Sequence, residues 1–437
     1  MFKEQLTNSS NGIGILAQNQ LWWWQKNQKQ FIDLPDIIGI SKGDETSEYA
    51  VFVVSSCPFK KSYLRKPTRR FRESYFYCSS IAVRDRWLEA LSQQLYPSIQ
   101  HPQNRHLYIL INPYSGQKKA RRIFQKIEPL LQKSDLQYTL RETQGKNDIK
   151  EQINALDFSK IDGIVVVGGD GTVHEVVNSL VEHRDRQTAL KIPLGIIPAG
   201  TGNGLCKSLL ELSQEPYNLL SAVFLIIQGQ YHVIDIGLVQ QNLQSCHSVL
   251  SVSWGLPSIV DIDSEKLRYL GSLRNVIYGL WQIIWLRFYL GKLSLNFPPS
   301  TITNLPSQQI ITGEFVLLWV MNSPWATFDL KIAPLASLND NLIDVIAIRK
   351  GISRLKLLWA FLLLYITQKK HINLVEVEYY QVQSFDFEPL NDDSYLTIDG
   401  EIARNSFLKF TLQPSLVNFF ANPRLPVHQS NLIRSQD

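Results

Sequence analysis

A short glycine-rich segment with a single carboxylate has the residue types of a phosphate-binding loop. Residues 168–172 read Gly-Gly-Asp-Gly-Thr, follow the apolar β-branched run 164–167 and precede a helix-like segment, 173–180. Glycines let the backbone approach a phosphate closely, and amides at a helix N-terminus face an anion. Asp170 would therefore lie near a transferred phosphoryl group, where it could hold a metal ion or take a proton from an acceptor hydroxyl.

Two further polar loops follow predicted strands. Residues 112–116 read Asn-Pro-Tyr-Ser-Gly, and residues 198–203 read Pro-Ala-Gly-Thr-Gly-Asn. Asn and Ser beside a glycine turn can donate hydrogen bonds to phosphate or ribose oxygens. Each loop alone could be a structural turn. Three such loops at successive strand ends are instead expected to converge on one site, because ligands bind beyond the carboxyl ends of parallel strands.

The order of the predicted elements places these loops in an α/β domain. Strands and helices alternate from residue 105, which implies a parallel sheet. From about residue 230 the chain becomes β-rich, with two apolar helical stretches at 273–290 and 352–366. The expected fold class is thus α/β plus β: an N-terminal α/β nucleotide-binding domain with a parallel sheet, then a C-terminal β-sandwich lipid domain. The expected boundaries are 105–230 and 231–422, followed by a tail at 423–437.

Residues 1–100 are predicted to form a separate small β module. Predicted strands at 49–54 and 74–78, followed by an amphipathic helix at 84–95 that carries Trp87, resemble a pleckstrin-homology domain. Between Lys60 and Arg72 the chain has seven Lys or Arg residues and no acid. Such a run favours contact with an anionic membrane surface, and a solvated hairpin is the alternative.

Composition limits the class of protein. The chain has 437 residues, 44% of them hydrophobic and 19% charged, which describes a globular protein with a large core. A net charge of +5 is too small to favour a nucleic-acid partner. The sequence shows no signal-peptide pattern and no apolar run long enough to span a bilayer, and its four cysteines have no metal-like spacing. We therefore expect a cytoplasmic, peripherally membrane-associated protein with reduced thiols.

Taken together, the three loops resemble the diacylglycerol-kinase-type catalytic domain family, and within it the sphingosine kinases, over roughly residues 105–422. The resemblance implies ATP bound in a cleft between the α/β domain and a β-sandwich, with Mg²⁺ as cofactor. It implies Asp170 as the general base on a lipid hydroxyl. It also implies nucleotide contacts from Asn112, Ser115, Thr143, Gly169, Gly171, Thr172, Glu175, Gly200, Gly202 and Asn203. Sphingosine kinases usually have Ser where Gly168 stands, whereas the broader family has Gly.

The segment 253–271 resembles the part of sphingosine kinases that binds the lipid head group. Asp261 matches the carboxylate that contacts an amino-alcohol head, and a carboxylate suits a protonated amine. Arg268 and Arg274 match basic residues that support this carboxylate or bind the ATP phosphates. The family often has a second acid where this chain has Ile259, so the resemblance is weaker for fine specificity. The alternative for Asp261 is a helix-capping or surface acid, which the length of the surrounding match disfavours.

Residues 399–401, Asp-Gly-Glu, form a predicted hairpin turn that the family places at the nucleotide site. The resemblance implies Asp399 and Glu401 as metal ligands and Asp399 as a nucleotide contact. Some relatives use this Glu as base, so Glu401 competes with Asp170 for the catalytic role. The apolar stretches 275–290 and 357–366 would form a slot for an alkyl chain. His174 is interpreted as structural.

The function expected from these features is ATP- and Mg²⁺-dependent phosphorylation of the primary hydroxyl of sphingosine or a related long-chain base. A diacylglycerol or ceramide kinase of the same family is the nearest alternative, and the acid-rich segment around Asp261 argues against it. NAD kinases share the glycine loop, but the apolar slot does not suit their acceptor. A non-catalytic lipid-binding regulatory protein is the alternative from another class. A homodimer is left open.

Overall fold

The structure is a computed structural model that describes residues 1–7, 12–44, 49–60, 67–95, 105–145, 147–270, 273–299, 307–391 and 394–422, apart from the side chains of 60 and 268–270. The predicted tail at 423–437 and most of the basic run, 60–66, therefore lie outside the described side chains. Within the described ranges, none of the helices combines the length and the apolar character needed to cross a bilayer.

In the described residues, the N-terminal module consists of a four-stranded and a three-stranded antiparallel sheet, a two-stranded ribbon and one helix. Its elements are β1 (Phe2–Gln5), β2 (Ile13–Ala17), β3 (Gln20–Gln25), β4 (Gln28–Asp33), β5 (Ile37–Lys42), β6 (Ala50–Ser56), β7 (Phe59–Lys60), β8 (Thr68–Arg69), β9 (Arg72–Cys78) and α1 (Ile81–Leu95). β1–β4 form one sheet, β5, β6 and β9 the second, and β7 pairs with β8. Trp87 of α1 is fully buried, and its ring centroid lies 4.8 Å from that of Phe2. A small antiparallel β module at the N-terminus is thereby confirmed, and its likeness to a pleckstrin-homology domain stays a prediction.

One residue of the basic run is not on the surface. Arg69 is buried, with ion pairs to Asp36 at 2.8 Å and to Glu215 at 2.7 Å. The expectation that it belongs to a membrane-facing basic surface is therefore wrong for Arg69. Its guanidinium faces the α/β domain because two carboxylates, one on each side of the contact, compensate its charge there.

The α/β domain contains a parallel sheet in the order β11-β10-β12-β13. Its elements are β10 (His106–Ile111), α2 (Ser115–Lys118), α3 (Ala120–Lys133), β11 (Gln137–Glu142), α4 (Asp148–Asn154), β12 (Gly163–Gly168), α5 (Asp170–Val181), α6 (Arg186–Ala189), β13 (Leu194–Pro198), α7 (Gly204–Leu212) and α8 (Leu219–Gln228). β12 and β13 are buried along their whole length. Helices cover both faces of such a sheet, so the central strands are continuous apolar runs instead of alternating ones.

The described part of the remaining chain is largely antiparallel sheet with three α-helices. Its elements are β14 (Tyr231–Gln241), β15 (Gln244–Ser248), β16 (Ser251–Gly255), α9 (Leu256–Asp263), α10 (Leu273–Ile284), β17 (Tyr289–Asn296), β18 (Gln308–Met321), β19 (Ile343–Arg349), α11 (Arg354–Thr367), β20 (Glu378–Val382), β21 (Ser384–Pro389), β22 (Leu396–Ile398), β23 (Glu401–Ala403) and β24 (Leu408–Phe420). Short 3-10 segments lie at Leu34–Asp36, Phe158–Lys160, Ser264–Leu270 and Lys370–Asn373. β24 pairs with β14 along most of its length and meets β13 through Leu194 and Phe419, so the two predicted domains share one sheet.

The first of the two predicted apolar helices is shorter than expected. The stretch 273–290 was predicted to be helical throughout, but α10 ends at Ile284 and β17 begins at Tyr289. In β17 Tyr289 is buried and Leu290 exposed, and Tyr289 pairs with Phe315 of β18. Both elements are apolar, so the run of hydrophobic residues continues across their junction and hides it in the sequence.

Candidate active site

The three polar loops meet at the carboxyl edge of the parallel sheet. A Cβ built on Gly200 would lie 2.5 Å from the Cα of Gly169, so the two glycine loops pack backbone against backbone. Gly116 has φ = 55°, and a Cβ there would lie 1.8 Å from the carbonyl oxygen of Ala199. Only glycine combines this conformation with this close approach. The expected convergence of the loops is confirmed.

A single cavity of about 410 Å³ joins these loops to an apolar interior. Its polar end is lined by Asn112, Ser115, Gly169, Asp170, Gly171, Thr172, Glu175, Gly200 and Gly202. Its middle contains Asp261, Arg274, Asp399 and Glu401. Its apolar end contains Leu256, Val260, Leu317, Ile346, Ile348, Leu357, Phe361 and Leu364. One continuous space can thus hold a polar phosphate donor at one end and an alkyl chain at the other.

Some residues predicted to contact nucleotide shape the loops instead of facing the cavity. Asn203 has φ = 55°, accepts a hydrogen bond from the amide of Gly200 and donates to its carbonyl, which closes the third loop on itself. Thr143 is buried and its amide bonds the carbonyl of Ile111. Neither Thr143 nor Asn203 lines the cavity. Both are placed to hold loop backbone, so their direct contact with nucleotide remains a prediction.

The loops 112–116 and 168–172 are linked by a side-chain hydrogen bond. The amide nitrogen of Asn112 donates to the hydroxyl of Thr172 over 3.0 Å, and both residues line the cavity. The backbone amide of Ser115 donates to the carbonyl of Asn112, which folds the loop 112–116 back toward the loop 168–172. The polar side chains of both loops therefore stand on one wall.

Asp170 begins α5 and at the same time binds the N-terminus of a second helix. Its two carboxylate oxygens accept hydrogen bonds from the amides of Gly204, at 3.0 Å, and Leu205, at 3.2 Å, at the start of α7. Burial raises the pKa of Asp170 to about 6, although these amides lower it, and Asp399 adds to the increase. A carboxylate with a pKa near neutrality is suited to accept a proton from a hydroxyl.

Asp261 lies in the middle of the cavity, beside the Asp-Gly-Glu turn. A Cβ on Gly400 would lie 3.2 Å from an Asp261 oxygen, and one on Gly171 would lie 3.5 Å from an oxygen of Glu401. Burial raises the pKa of Asp261 to about 6, Arg274 lowers it, and the neighbouring acids, including Glu401 and Asp170, raise it further. Such a crowded set of carboxylates favours a cationic ligand.

Arg274 provides the one buried cation among the residues that line this cavity. Its guanidinium forms an ion pair with Glu265 at 3.1 Å, and its buried Nε has no hydrogen-bond partner among the residues that the structure describes. This N–H is available to a phosphate or a carboxylate. The side chain of Arg268, predicted to act with Arg274, lies outside the described side chains.

Asp399 is bound so completely by protein groups that an anchoring role is favoured over the predicted metal and nucleotide roles. Its oxygens accept hydrogen bonds from the amides of residues 249, 250 and 251, from the hydroxyl of Ser248, and from Nδ1 of His174 at 2.7 Å. Two carboxylate oxygens have about four lone-pair sites, and the five donors to Asp399 already occupy them. Among the described residues no cluster of three or more acidic, His or Cys side chains forms a metal site.

His174 therefore has a definite structural task, as the sequence suggested. Burial lowers the pKa of His174, but the hydrogen bond and charge of Asp399 outweigh it and raise the pKa above its usual 6.5. Conversely, burial raises the pKa of Asp399, and His174 with the surrounding amides brings it below 3.8. The pair joins α5 to the turn that carries Glu401, so it fixes the distance between the glycine loop at the start of α5 and the Asp-Gly-Glu turn.

Replacing His174 with Gln is expected to destabilise the protein in a pH-dependent way. Because folding raises the pKa of His174, the ion pair stabilises the fold fully below pH 6.5 and loses this effect as the pH rises through the folded pKa. The melting-temperature difference from wild type should be largest near pH 6, equivalent to about 1.5–3 kcal/mol, and shrink toward pH 9. Equal differences at both pH values would contradict a charged His174.

The apolar end of the cavity was predicted in outline only. α10 and α11 contribute to it, as the sequence suggested, but so do strands β18 and β19 through Leu317, Trp319 and Ile346. Thr327 was not singled out either; its bridge to Asn203 brings a loop of the β-rich part against the third glycine loop. Nothing local in the sequence signals these residues, because their role depends on pairings between separate segments, such as β18 with β19 and Asn203 with Thr327.

Comparison with known proteins agrees with this geometry. Residues 106–239 match the family model of the diacylglycerol kinase catalytic domain, and residues 301–421 that of the YegS C-terminal NAD kinase beta sandwich-like domain. Sphingosine kinase 1 from Arabidopsis thaliana is 35% identical over 353 residues, which cover 72% of this chain and 71% of that protein. The chain belongs to the sphingosine kinase family. It is a lipid kinase, and the family implies ATP as its co-substrate.

Other members of the family, and one solved structure, show how far the likeness extends. Sphingosine kinase 2 from Arabidopsis thaliana is 31% identical over 434 residues, covering 89% of this chain and 87% of that protein. Sphingosine kinase 1 from Homo sapiens is 27% identical and covers 72% and 90%. A diacylglycerol kinase structure from Bacillus anthracis str. Sterne, 18% identical, superposes with a TM-score of 0.51 over 73% of this chain and 97% of that one. It supports the shared fold alone.

Proposed function

We propose that this sphingosine kinase family member transfers the γ-phosphoryl group of ATP to the primary hydroxyl of sphingosine or a related long-chain base. The observation that supports the proposal most is the single cavity that joins the glycine loops, through Asp261, to an apolar slot. The printed names of the relatives point to the same substrate class. A long-chain base has the three parts that this cavity accommodates: a hydroxyl, a cationic amine and an alkyl chain.

In the proposed reaction Asp170 is the general base. The loop amides and Arg274 bind the phosphates, and the lipid hydroxyl lies between Asp170 and the γ-phosphorus. Asp170 takes the hydroxyl proton as the oxygen attacks in line, and the bond between the γ-phosphorus and the leaving oxygen of ADP breaks. With a pKa near 6, Asp170 is mostly ionised at neutral pH and is a better proton acceptor than an ordinary Asp.

Mg²⁺ is proposed as cofactor, with Glu401 as the protein ligand. Glu401 is exposed toward the cavity beside Gly171, whereas Asp399 is bound by protein donors. One or two carboxylates with substrate phosphates suffice for Mg²⁺, so this site needs no larger cluster of acids. The ion would neutralise charge on the β- and γ-phosphates. Glu401 remains the alternative general base.

A panel of acceptors tests the substrate. We would measure transfer of labelled γ-phosphate from ATP to sphingosine, dihydrosphingosine, phytosphingosine, ceramide and diacylglycerol. Labelling confined to the free bases is expected, because ceramide and diacylglycerol offer no cation to the acids around Asp261. Preferential labelling of ceramide or diacylglycerol would overturn the substrate and leave the ATP site in place. No transfer to any lipid would overturn the activity.

We further infer that α10 and α11 contact the membrane from which the lipid is taken. Their outer faces and Trp285, which directly follows α10, expose large apolar side chains; those of the helices are Leu273, Ile277, Trp281, Ile284, Leu355, Trp359 and Ile366. The inner faces of the same helices, with Gly279, Phe361 and Leu364, line the cavity. An apolar surface of this kind next to an apolar slot suits a bilayer surface, and Trp residues favour the bilayer interface. A homodimer stays a prediction.

The variant Trp281→Ser/Trp285→Ser should bind vesicles poorly. Two Trp side chains that enter the bilayer would bury enough apolar area that their loss should weaken sedimentation with phosphatidylcholine/phosphatidylserine vesicles by about tenfold or more. Phe31→Ser/Phe407→Ser is the matched control, since Phe31 and Phe407 are exposed aromatics outside α10, α11 and the basic run. Equal vesicle binding by the two variants would contradict a docking role for α10.

A further inference from the structure

The helix that binds Asp170 is also held by the N-terminal module. α7 is nine residues long, and its first amides, of Gly204 and Leu205, donate to the carboxylate of Asp170. Glu215, three residues beyond the end of α7, accepts hydrogen bonds from Arg69 of the module. One short rigid element therefore connects the catalytic carboxylate to a different part of the chain.

We call the contact around Arg69 the Arg69 clasp. Nε and Nη2 of Arg69 donate to the two oxygens of Glu215, each over 2.7 Å, and Nη1 donates to Asp36 and to the carbonyl of Cys57. The guanidinium carbon lies 3.5 Å from the ring centroid of Phe224 in α8. The side chains of Arg69 and Glu215 are 0% and 2% exposed. A bidentate pair this deeply buried has one geometry, and breaking it leaves an uncompensated charge.

Further contacts hold the module against the α/β domain. Ile38 and Cys57 of the module are part of the hydrophobic core of the α/β domain. The side chain of Gln228, at the end of α8, donates to the carbonyl of Pro35 over 3.0 Å. Lys133 of α3 forms a partly exposed ion pair with Glu73 at 2.8 Å. The module is thus packed against the helices on one face of the nucleotide-binding sheet.

α7 is fixed from the β-rich part as well. Glu211, in its last turn, accepts a hydrogen bond from the indole of Trp325 and an ion pair from Lys331, both at 2.5 Å. The helix is therefore held at its start by Asp170, near its end by Trp325 and Lys331, and just beyond its end by Arg69. Each of these contacts comes from a different segment of the chain.

We propose that Arg69 is a positioning residue for the phosphoryl transfer, which acts through Glu215 and α7 on the carboxylate of Asp170. The inference rests on the proposed role of Asp170 as base. If the clasp opens, α7 can move relative to α5, and the amides of Gly204 and Leu205 no longer hold the Asp170 oxygens in one orientation. A shift of about 1 Å in a reacting group can cost a large part of the rate. The N-terminal module would then be an integral part of the catalytic domain.

The test compares full-length variants by kinetics at a temperature well below their melting points. Arg69→Met/Glu215→Gln removes both buried charges together, and Arg69→Lys keeps the charge without the bidentate geometry. Lys133→Met is the matched control, because it breaks a contact of the same module that does not reach α7. Circular dichroism and melting temperatures report folding, and kcat, KM for ATP and sphingosine, and the pH profile report the site.

The double variant is expected to lose about tenfold or more in kcat, with both KM values within about twofold of wild type. Its acid limb should move to higher pH, because misaligned amides stabilise the Asp170 carboxylate less. The titratable groups around Asp170 are unchanged: Asp399, Asp261, Glu401, Cys206 and Tyr217. Arg69→Lys should show a smaller change in the same direction. Lys133→Met should match wild type.

A folded double variant with wild-type kcat and acid limb would overturn the inference, even if its melting temperature were lower. If the double variant does not fold, Arg69→Lys decides by the same readouts. An inactive wild-type chain would overturn the proposed function itself and, with it, this inference. An active wild type beside an equally active double variant would overturn the inference alone.

Discussion

Asp170→Asn is expected to abolish most of the turnover and leave ATP binding intact. Asn cannot accept the hydroxyl proton, so kcat should fall by about 10²- to 10⁴-fold, the range typical of a lost general base. The glycine loops that hold the phosphates remain. Because Asp170 also binds the start of α7, and an Asn oxygen can replace only one of its two acceptors, a stability loss of about 0.5–2 kcal/mol should accompany the change.

Glu401→Gln is the matched variant for this experiment. If Asp170 is the base and Glu401 a Mg²⁺ ligand, Glu401→Gln should raise the Mg²⁺ concentration needed for half-maximal rate and lose less kcat than Asp170→Asn. Binding of a fluorescent ATP analogue, measured for both variants, separates lost chemistry from lost affinity. Full activity of Asp170→Asn beside an inactive Glu401→Gln would transfer the role of base to Glu401.

The assignment of Asp170 as general base also predicts how the rate of the wild-type enzyme depends on pH. Asp170 and Asp261 both have a pKa of about 6, raised by burial, and both are proposed to act as carboxylates. The rate should therefore be constant above neutrality and fall as the pH drops through 6. In Asp170→Asn the residual rate should depend less on pH, because only Asp261 then titrates near pH 6.

Asp261→Asn is expected to impair use of the lipid and spare the nucleotide. The change removes one charge-assisted hydrogen bond to the amine, so kcat/KM for sphingosine should fall by about 10- to 100-fold, equivalent to about 1.5–3 kcal/mol. KM for ATP should stay close to wild type. Any residual transfer to ceramide or diacylglycerol should not fall in parallel, since neither carries the amine cation.

Asp263→Asn is the control for position. Asp263 lies two residues further along the same segment, accepts a hydrogen bond from the hydroxyl of Tyr278 and does not line the cavity. It should retain kcat/KM for sphingosine. If the two Asn variants lose the same amount, the effect comes from disturbing α9 instead of from lost recognition of the amine.

The polar end of the site could be predicted from sequence because each of its loops is a local pattern. A glycine turn after an apolar strand is visible within ten residues, and a parallel sheet brings the ends of such strands to one edge. Asp399 shows the opposite case. Its turn was recognisable, but its five donors come from His174 and from residues 248–251, so nothing near it in the chain indicated that its oxygens were already bound.

Arg69 shows how charge pattern alone can mislead. In the sequence it belongs to a run of cations without acids, which is usually a solvated surface. In the structure its partners are Asp36 and Glu215, the second of them 146 residues away. The predicted first apolar helix was too long for a related reason. Both α10 and β17 are hydrophobic, so only strand pairing shows where the helix ends and the strand begins.

The position of β24 has a consequence for how the chain folds. Phe419 and Phe420, near the end of the described chain, are buried in the same core as β10, β12 and β13, and Phe419 meets Leu194 across the sheet. The nucleotide-binding half is therefore incomplete until β24, which follows the whole β-rich part, has left the ribosome. Until then, the parallel sheet would have an unpaired edge, and strand pairings this distant in sequence form slowly. The sites for ATP and lipid should thus appear in one late cooperative step, not as two successive domains.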